Sequence, residues 1–503
     1  MRTTLPIASG FYTSDALPLS AQRAVNWRPS VPQSATITDA NLFSTEGITA
    51  LISGSVLDEC RGAHVLAGIP YFVISNILYR VERTLVDSVA VFNIVNAGTI
   101  AGTRRVYMAD NGTQLCIVAI PDTVTTGKSY IFTAAPDTLT EITDPNFDGP
   151  ASSVIYTAGY FSFHKSDGKK FFNSPLNNGL TGYDPLDFNV AVSDPDQIRG
   201  QGVLNGQLYI FGSETIQPFR NVGRAPSPFA PVVGSTIDIG VFSSQSIVKF
   251  GGGLAFVGGG VDESPAIWLV SGGQQRKLST IAIDNELSKL SIEELDGQVF
   301  SWTYAESGAY MLGISTPPTC YVYDLTNDRW HERQSINKSS LSAYRVSHIV
   351  TAYGITLVGD SQTGNIGELR EDESLEYGIL TPRLVTSRPF DNSGAAVNVA
   401  SIEAVIESGV GLANDLKVQT GTNIAGAAVY ATGGSDPKIT LSWSDDGART
   451  FGGFISRSMG KIGEYTQRPV WNRLGRFARQ RVLQFEVSSP TKATLIKVEA
   501  DIG

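Results

Sequence analysis

Asn205–Phe219 reads Asn-Gly-Gln-Leu-Tyr-Ile-Phe-Gly-Ser-Glu-Thr-Ile-Gln-Pro-Phe. Asn-Gly tolerates the positive φ of a tight hairpin turn, and Leu208, Ile210 and Phe211 suit a mostly buried strand. Gly212 then breaks the run, and a new strand pattern begins at Thr215. The chain repeats this order. A glycine ahead of an apolar or aromatic run occurs at Gly68, Gly112, Gly159, Gly206, Gly253, Gly308 and Gly354, at spacings of 44, 47, 47, 47, 55 and 46 residues. A period in the forties, built on short strands and glycine turns, is that of a β-propeller. Each blade is a small sheet that cannot bury both faces alone, so blades stack around an axis. The alternative is an all-β fold in which glycine turns recur by chance. The expected architecture is therefore all-β: a β-propeller of about seven blades, or six if one unit is an insertion, followed by a C-terminal β-sandwich.

The sandwich is read from a change of pattern after Pro382. Ser401–Glu407, Lys438–Trp443 and Leu483–Val487 alternate apolar and polar residues, as strands with one buried face do. The expected division is an extended N-terminal arm over 1–60, a propeller over 61–379 and a sandwich over 380–503. The arm is rich in Ser, Thr, Pro and Ala. It either docks on the surface or supplies the strand that closes the propeller. Asn26-Trp27-Arg28-Pro29 stands out within it, since a tryptophan in a polar segment needs a place to pack. One helix is expected, over Asn285–Leu295, as an insertion between blades.

Composition narrows the function classes. Of 503 residues, 42% are apolar and 17% charged, which argues against disorder of the chain as a whole. The formal charge of −10 argues against a surface that wraps nucleic acid. Cys60, Cys116 and Cys320 are odd in number and far apart, and suit buried apolar sites in a reducing compartment. Met1–Pro6 lacks the apolar core of a secretion signal, and Val65–Val81 is interrupted by Pro70, Ser75 and Asn76, so a soluble intracellular product with no membrane insertion is expected.

No catalytic, cofactor or metal site is expected. His64, His164, His331 and His348 show no ligand spacing, and the glycine tracts at Gly251 and Gly258 lead into no helix. Ser444-Asp445-Asp446-Gly447-Ala448-Arg449-Thr450-Phe451 resembles the Asp-box of sialidases, with Ala448 for its glycine and Phe451 for its tryptophan. That box is a structural hairpin whose aspartate folds back on the turn. Tyr321-Val322-Tyr323-Asp324 with Trp330 resembles one kelch blade. These two pieces motivate the alternatives of a glycan-binding or carbohydrate-active propeller and of a kelch-like interaction scaffold. A different signal is the basic run at 461–481, six basic residues against Glu464. Arg468, Trp471, Arg473, Arg476, Arg479 and Arg481 are the candidate partner-docking residues, because arginine and tryptophan hold interfaces firmly. The competing reading is a solvated strand edge protected by charge.

Four segments resemble the packaged-DNA stabilisation proteins of short-tailed phages, which form the tail hub or nozzle. They are Gln22–Pro29 with Thr45-Glu46-Gly47-Ile48, Phe211–Ile216, Ser279–Leu295, and Pro469-Val470-Trp471-Asn472-Arg473-Leu474-Gly475-Arg476. Glu46 stands where that family usually has proline. The resemblance implies a non-enzymatic virion tail protein, made in the bacterial host cytoplasm and assembled as a ring of six copies. The ring would lie below the portal and its adaptor ring and carry a tail needle, fibres or spikes. Its bore would continue the DNA channel, retain the packaged genome and let it exit at infection. Genomic DNA would pass without sequence-specific binding, and an acidic wall suits that passage.

Overall fold

A computed structural model describes residues 2–54, 58–120, 126–190, 196–306, 308–391, 395–423 and 426–502. The repeat glycines occupy one place in the architecture. Each sits in or just after the hairpin that joins the first and second strands of a small antiparallel sheet. In the fourth sheet Asn205 (φ 51°) and Gly206 (φ 75°) form a two-residue turn, with Leu204 opposite Gln207. Both φ values are positive, the requirement of the hairpin turn whose twist matches the strands. In the fifth sheet the turn is Gly251-Gly252, and Gly253, directly ahead of the apolar run, is already paired with Phe250 as the first residue of its strand.

The second strands show why the glycine-led runs are apolar on every residue. Tyr71 joins the core shared by the first and second sheets, whereas Phe72 joins that shared by the first and seventh. Ile210 packs toward the third sheet and Phe211 toward the fifth, meeting Phe256 at 5.1 Å. Successive side chains of a strand point to opposite faces, so a blade covered on both sides needs both apolar.

The first strands of the seven sheets are Cys60–Leu66, Val106–Asp110, Ala151–Thr157, Ile198–Leu204, Val248–Phe250, Phe300–Glu306 and Val346–Ala352. Gly47–Ile52 hydrogen-bonds Ile366–Arg370 and so extends the seventh sheet, a closing strand drawn from the N-terminal region. The long spacing between Gly253 and Gly308 holds an insertion. It is two helices, Ile281–Leu287 and Ile292–Gln298, where one was expected. Ser291 interrupts them by capping the second, accepting from the Glu294 N–H while Glu294 reaches back to the Ser291 N–H.

Two compact units divide the chain. One comprises 50–304 and 345–368; the other comprises 1–49, 305–344 and 369–503. Both are discontinuous in sequence. In the second unit the N-terminal segment is built into sheets rather than lying as an extended arm. Ala21–Val25 lies between Arg329–Asn337 and Arg383–Thr386, while Arg2–Leu5 and Asn41–Ser44 pair with the last strand, Thr494–Ile502. The sandwich core lies between the sheet that holds Trp27, Leu42, Ile402 and Trp471 and the sheet that holds Ile439, Leu441, Leu483 and Phe485. Trp27, 1% exposed, thus finds its packing place there.

Candidate functional site

The structure separates the six residues expected to dock a partner. Trp471 is fully buried, donates its indole N–H to the Ile455 carbonyl at 2.7 Å and meets the Phe485 ring edge-on. Arg481 is also interior. It forms a bidentate pair with Asp445 at 2.6 and 2.8 Å and donates to the Leu474 carbonyl at 2.7 Å. Arg468 is exposed but forks onto both oxygens of Glu403 at 2.6 Å. Arg473, Arg476 and Arg479 face solvent, interleaved with the buried Leu474 and Phe477. The three-residue spacing of Trp471, Leu474 and Phe477 was the available signal that this run has an inner side.

The Asp-box-like hairpin behaves as a structural turn. Asp446 Oδ1 accepts from the backbone N–H groups of Arg449 and Thr450 at 3.0 Å, and Oδ2 accepts from the Thr450 hydroxyl at 2.6 Å. Hydrogen bonds from Ser444 and Thr450 hold its carboxyl well below the usual range. Asp324, in the kelch-like segment, likewise accepts from the Thr326 and Asn327 N–H groups at 2.9 and 3.2 Å.

A more built site, missed in the sequence, lies where the first strands begin. Two adjoining cavities, of about 480 and 250 Å³, share Arg104, Ile120, Gln245 and Asp296. Together their walls draw on residues at the start of all seven sheets, including Arg61, Arg104, Ser152, Arg199, Gln245, Phe300 and Ser347. Only a position on the common axis meets that condition. Four of the first strands carry a β-bulge there. The register skips one residue between Cys60 and Gly62, Ala151 and Ser153, Ile198 and Gly200, and Val346 and His348. The skipped residues are Arg61, Ser152, Arg199 and Ser347, and all four line the cavities. A bulge re-aims a side chain, and here it does so repeatedly toward one place.

Uncharged groups bind two of the cations at this mouth. Arg61 donates to the carbonyls of Arg104, Ser75 and Ala101 at 2.6, 2.7 and 3.0 Å. Arg105 donates to the Ser347 carbonyl and to His348 Nε2, both at 2.9 Å, and lies 3.8 Å over the Phe300 ring. Burial lowers the Arg105 pKa to about 10, which still leaves it a cation at neutral pH. Burial also pushes His164 down to about 4 and His348 well below its ordinary value, so both imidazoles are neutral. Asp296 accepts weakly from the Ser244 N–H at 3.4 Å. Such an arrangement can bind and orient. Among the described residues, no group of three His, Cys, Asp or Glu side chains could hold a metal ion, and no helix is long and apolar enough to cross a membrane.

Residues 3–374 match the phage stabilisation family, described as bacteriophage P22 Gp10, β-propeller. The chain belongs to that family. Residues 388–503 also match the companion family described as bacteriophage P22 Gp10, β-sandwich. The tail hub protein gp10 of Salmonella phage P22 is 23% identical over 310 residues, which cover 61% of this chain and 60% of that relative. The match thus spans about three-fifths of the relative's length. Similar solved structures include the β-propeller domain of Myceliophteria thermophila Cps50 (Swd1), 8% identical, with a TM-score of 0.39 and coverage of 65% of this chain and 99% of that one. The N-terminal domain of Nup159 is 12% identical, with a TM-score of 0.39 and coverage of 68% and 98%. The phage stabilisation family is a family of structural tail proteins and not of enzymes. Its four resembling segments fall in the structure on N-terminal strands of the second unit, on the fourth sheet, on the inserted helices, and on the sandwich strand Val470–Asn472.

Proposed function

We propose that this phage tail structural protein forms a ring of identical copies, six by family resemblance, below the portal and its adaptor ring. The ring continues the DNA channel, retains the packaged genome and releases it at infection. The observation that carries this reading is the family match over 3–374, supported by that over 388–503. The propeller repeats, 61–379, supply a wedge whose strands are internally paired, so that faces rather than open edges meet neighbouring copies. A wedge repeated head to tail closes as a cyclic ring. The sandwich, 380–503, presents Arg473, Arg476 and Arg479 to an acidic face of the adaptor ring, and a tail needle, fibres or spikes attach to the assembly. A net charge of −10 favours passage of DNA without adhesion, because a wall that neutralised phosphates would hold the strand in a salt-dependent way. Phage particles made without this chain test the reading. Heads should fill and then lose their DNA, with the protein restored to the tail on complementation. Stable, full, infectious particles without it would contradict the proposal.

A further inference from the structure

We propose that the axial mouth of the propeller is a binding site for a phosphate-class oxyanion, taken either as the free ion or as a terminal phosphate of nucleic acid. The inference stands on the cavity and does not depend on the ring. Besides Arg61, whose guanidinium is bound to three carbonyls, the guanidinium groups of Arg104, Arg105 and Arg199 line its two compartments, together with the side-chain amide of Gln245. Arg105 donates its Nε–H to Gln245 Oε1 at 3.4 Å, which leaves Gln245 Nε2 as a donor. That Nε2 and the Arg199 Nε are both buried, and among the described residues neither has a hydrogen-bond partner. Buried N–H donors without acceptors are costly, and two of them in one cavity call for an acceptor that the chain does not itself provide.

The chemistry of that acceptor follows from how the donors arrive. They come from the second, fourth and fifth sheets rather than from one plane, which suits the diverging oxygens of a tetrahedral anion. Each guanidinium can present a two-pronged fork to a phosphate. The four groups that hold Arg105 (a carbonyl, a neutral imidazole, an amide oxygen and a phenyl ring) carry no charge to oppose its own, while the Glu59 carboxylate lies in the same compartment. Asp167 and Asp296 also line the larger cavity. Asp167 is engaged by the Lys169 N–H at 3.1 Å and Asp296 by Ser244, and both oppose an anion. Glu59 and Arg61 line the smaller compartment, so four guanidiniums stand against three carboxylates and leave a positive mouth in an acidic chain. The volume of about 480 Å³ exceeds one phosphate and leaves room for an attached group.

Calorimetric titration of the intact protein with inorganic phosphate and with pyrophosphate, against chloride at equal ionic strength, tests the site. Saturable binding is expected. Arg199→Gln should weaken it about tenfold or more, and Asp296→Asn should tighten it severalfold by removing a like charge. If Arg199→Gln fails to fold, the exposed Arg104→Gln takes its place. Short single strands with a 5′-phosphate or a 5′-hydroxyl distinguish the sources. Binding of the phosphorylated strand alone assigns a terminal nucleic-acid phosphate, and binding of inorganic phosphate with neither strand assigns the free ion. Failure of every phosphate to bind saturably, or equal affinity in the Arg199 and Asp296 variants, would overturn the proposal.

Discussion

Individual residues in this chain separate roles that composition merges. Arg481 and Arg473 belong to one basic run, yet one is sealed in the sandwich and the other faces water. Arg481→Ala would leave Asp445 without its bidentate partner and open a void, and should destabilise the protein by about 3 kcal/mol in urea unfolding. The double substitution Arg473→Glu with Arg476→Glu should leave that unfolding curve in place and impair attachment of the adaptor ring; normal attachment would return these arginines to the role of a charged edge. Ala448 sits at φ 66°, where the Asp-box has glycine. An L side chain is strained there, so Ala448→Gly should stabilise the chain by about 0.5–1 kcal/mol, and a loss of stability would contradict that account of the hairpin. His164 supplies a pH dependence. Its folded pKa of about 4 lies below the ordinary 6.5, because burial disfavours the charged ring. Between those values the unfolded chain binds a proton that the folded chain refuses, so stability is lost as pH falls from 6.5 toward 4. The full effect is about 3 kcal/mol. His164→Asn should flatten that slope in unfolding midpoints taken at successive pH values, leaving the remainder to His331 and His348, both also depressed by burial. An unchanged slope would show that His164 does not carry it.

Elements differ in how far their local sequence announces them. The hairpins were readable because a positive-φ turn and an apolar run are both local demands, met within a dozen residues at each repeat. At the triple glycine Gly251–Gly253 any of the three could fill the left-handed positions, and the structure places Gly251 and Gly252 there. The helix was found but not its break, which depends on Ser291 winning a cap against helix continuation. Least readable was the insertion of Ala21–Val25 beside Arg329–Asn337 and Arg383–Thr386. Its partners lie some three hundred residues away, and no local pattern records them. The axial site was hidden for a similar reason: Arg61, Ser152, Arg199 and Ser347 each look unremarkable until four bulges place them together. The N-terminal segment can be tested as an element. Deleting residues 2–30 removes Leu5, Ala24 and Trp27 from the sandwich core, and the melting temperature should fall by several degrees or more. An unchanged melting temperature would restore the picture of an arm laid on the surface.

The whole molecule joins two architectures with different contributions. The propeller is covered blade by blade, neighbouring sheets sharing apolar cores. The sandwich takes strands from both ends of the chain, which ties residues 2–5 to residues 498–501 through one antiparallel pair. The sandwich displays the solvent-facing Arg473, Arg476 and Arg479. The most direct measurement is electron microscopy of the purified protein, alone and beside its adaptor ring. The account predicts closed rings of identical copies, six to a ring, with an open central channel. Persistent monomers in the presence of the adaptor would contradict it.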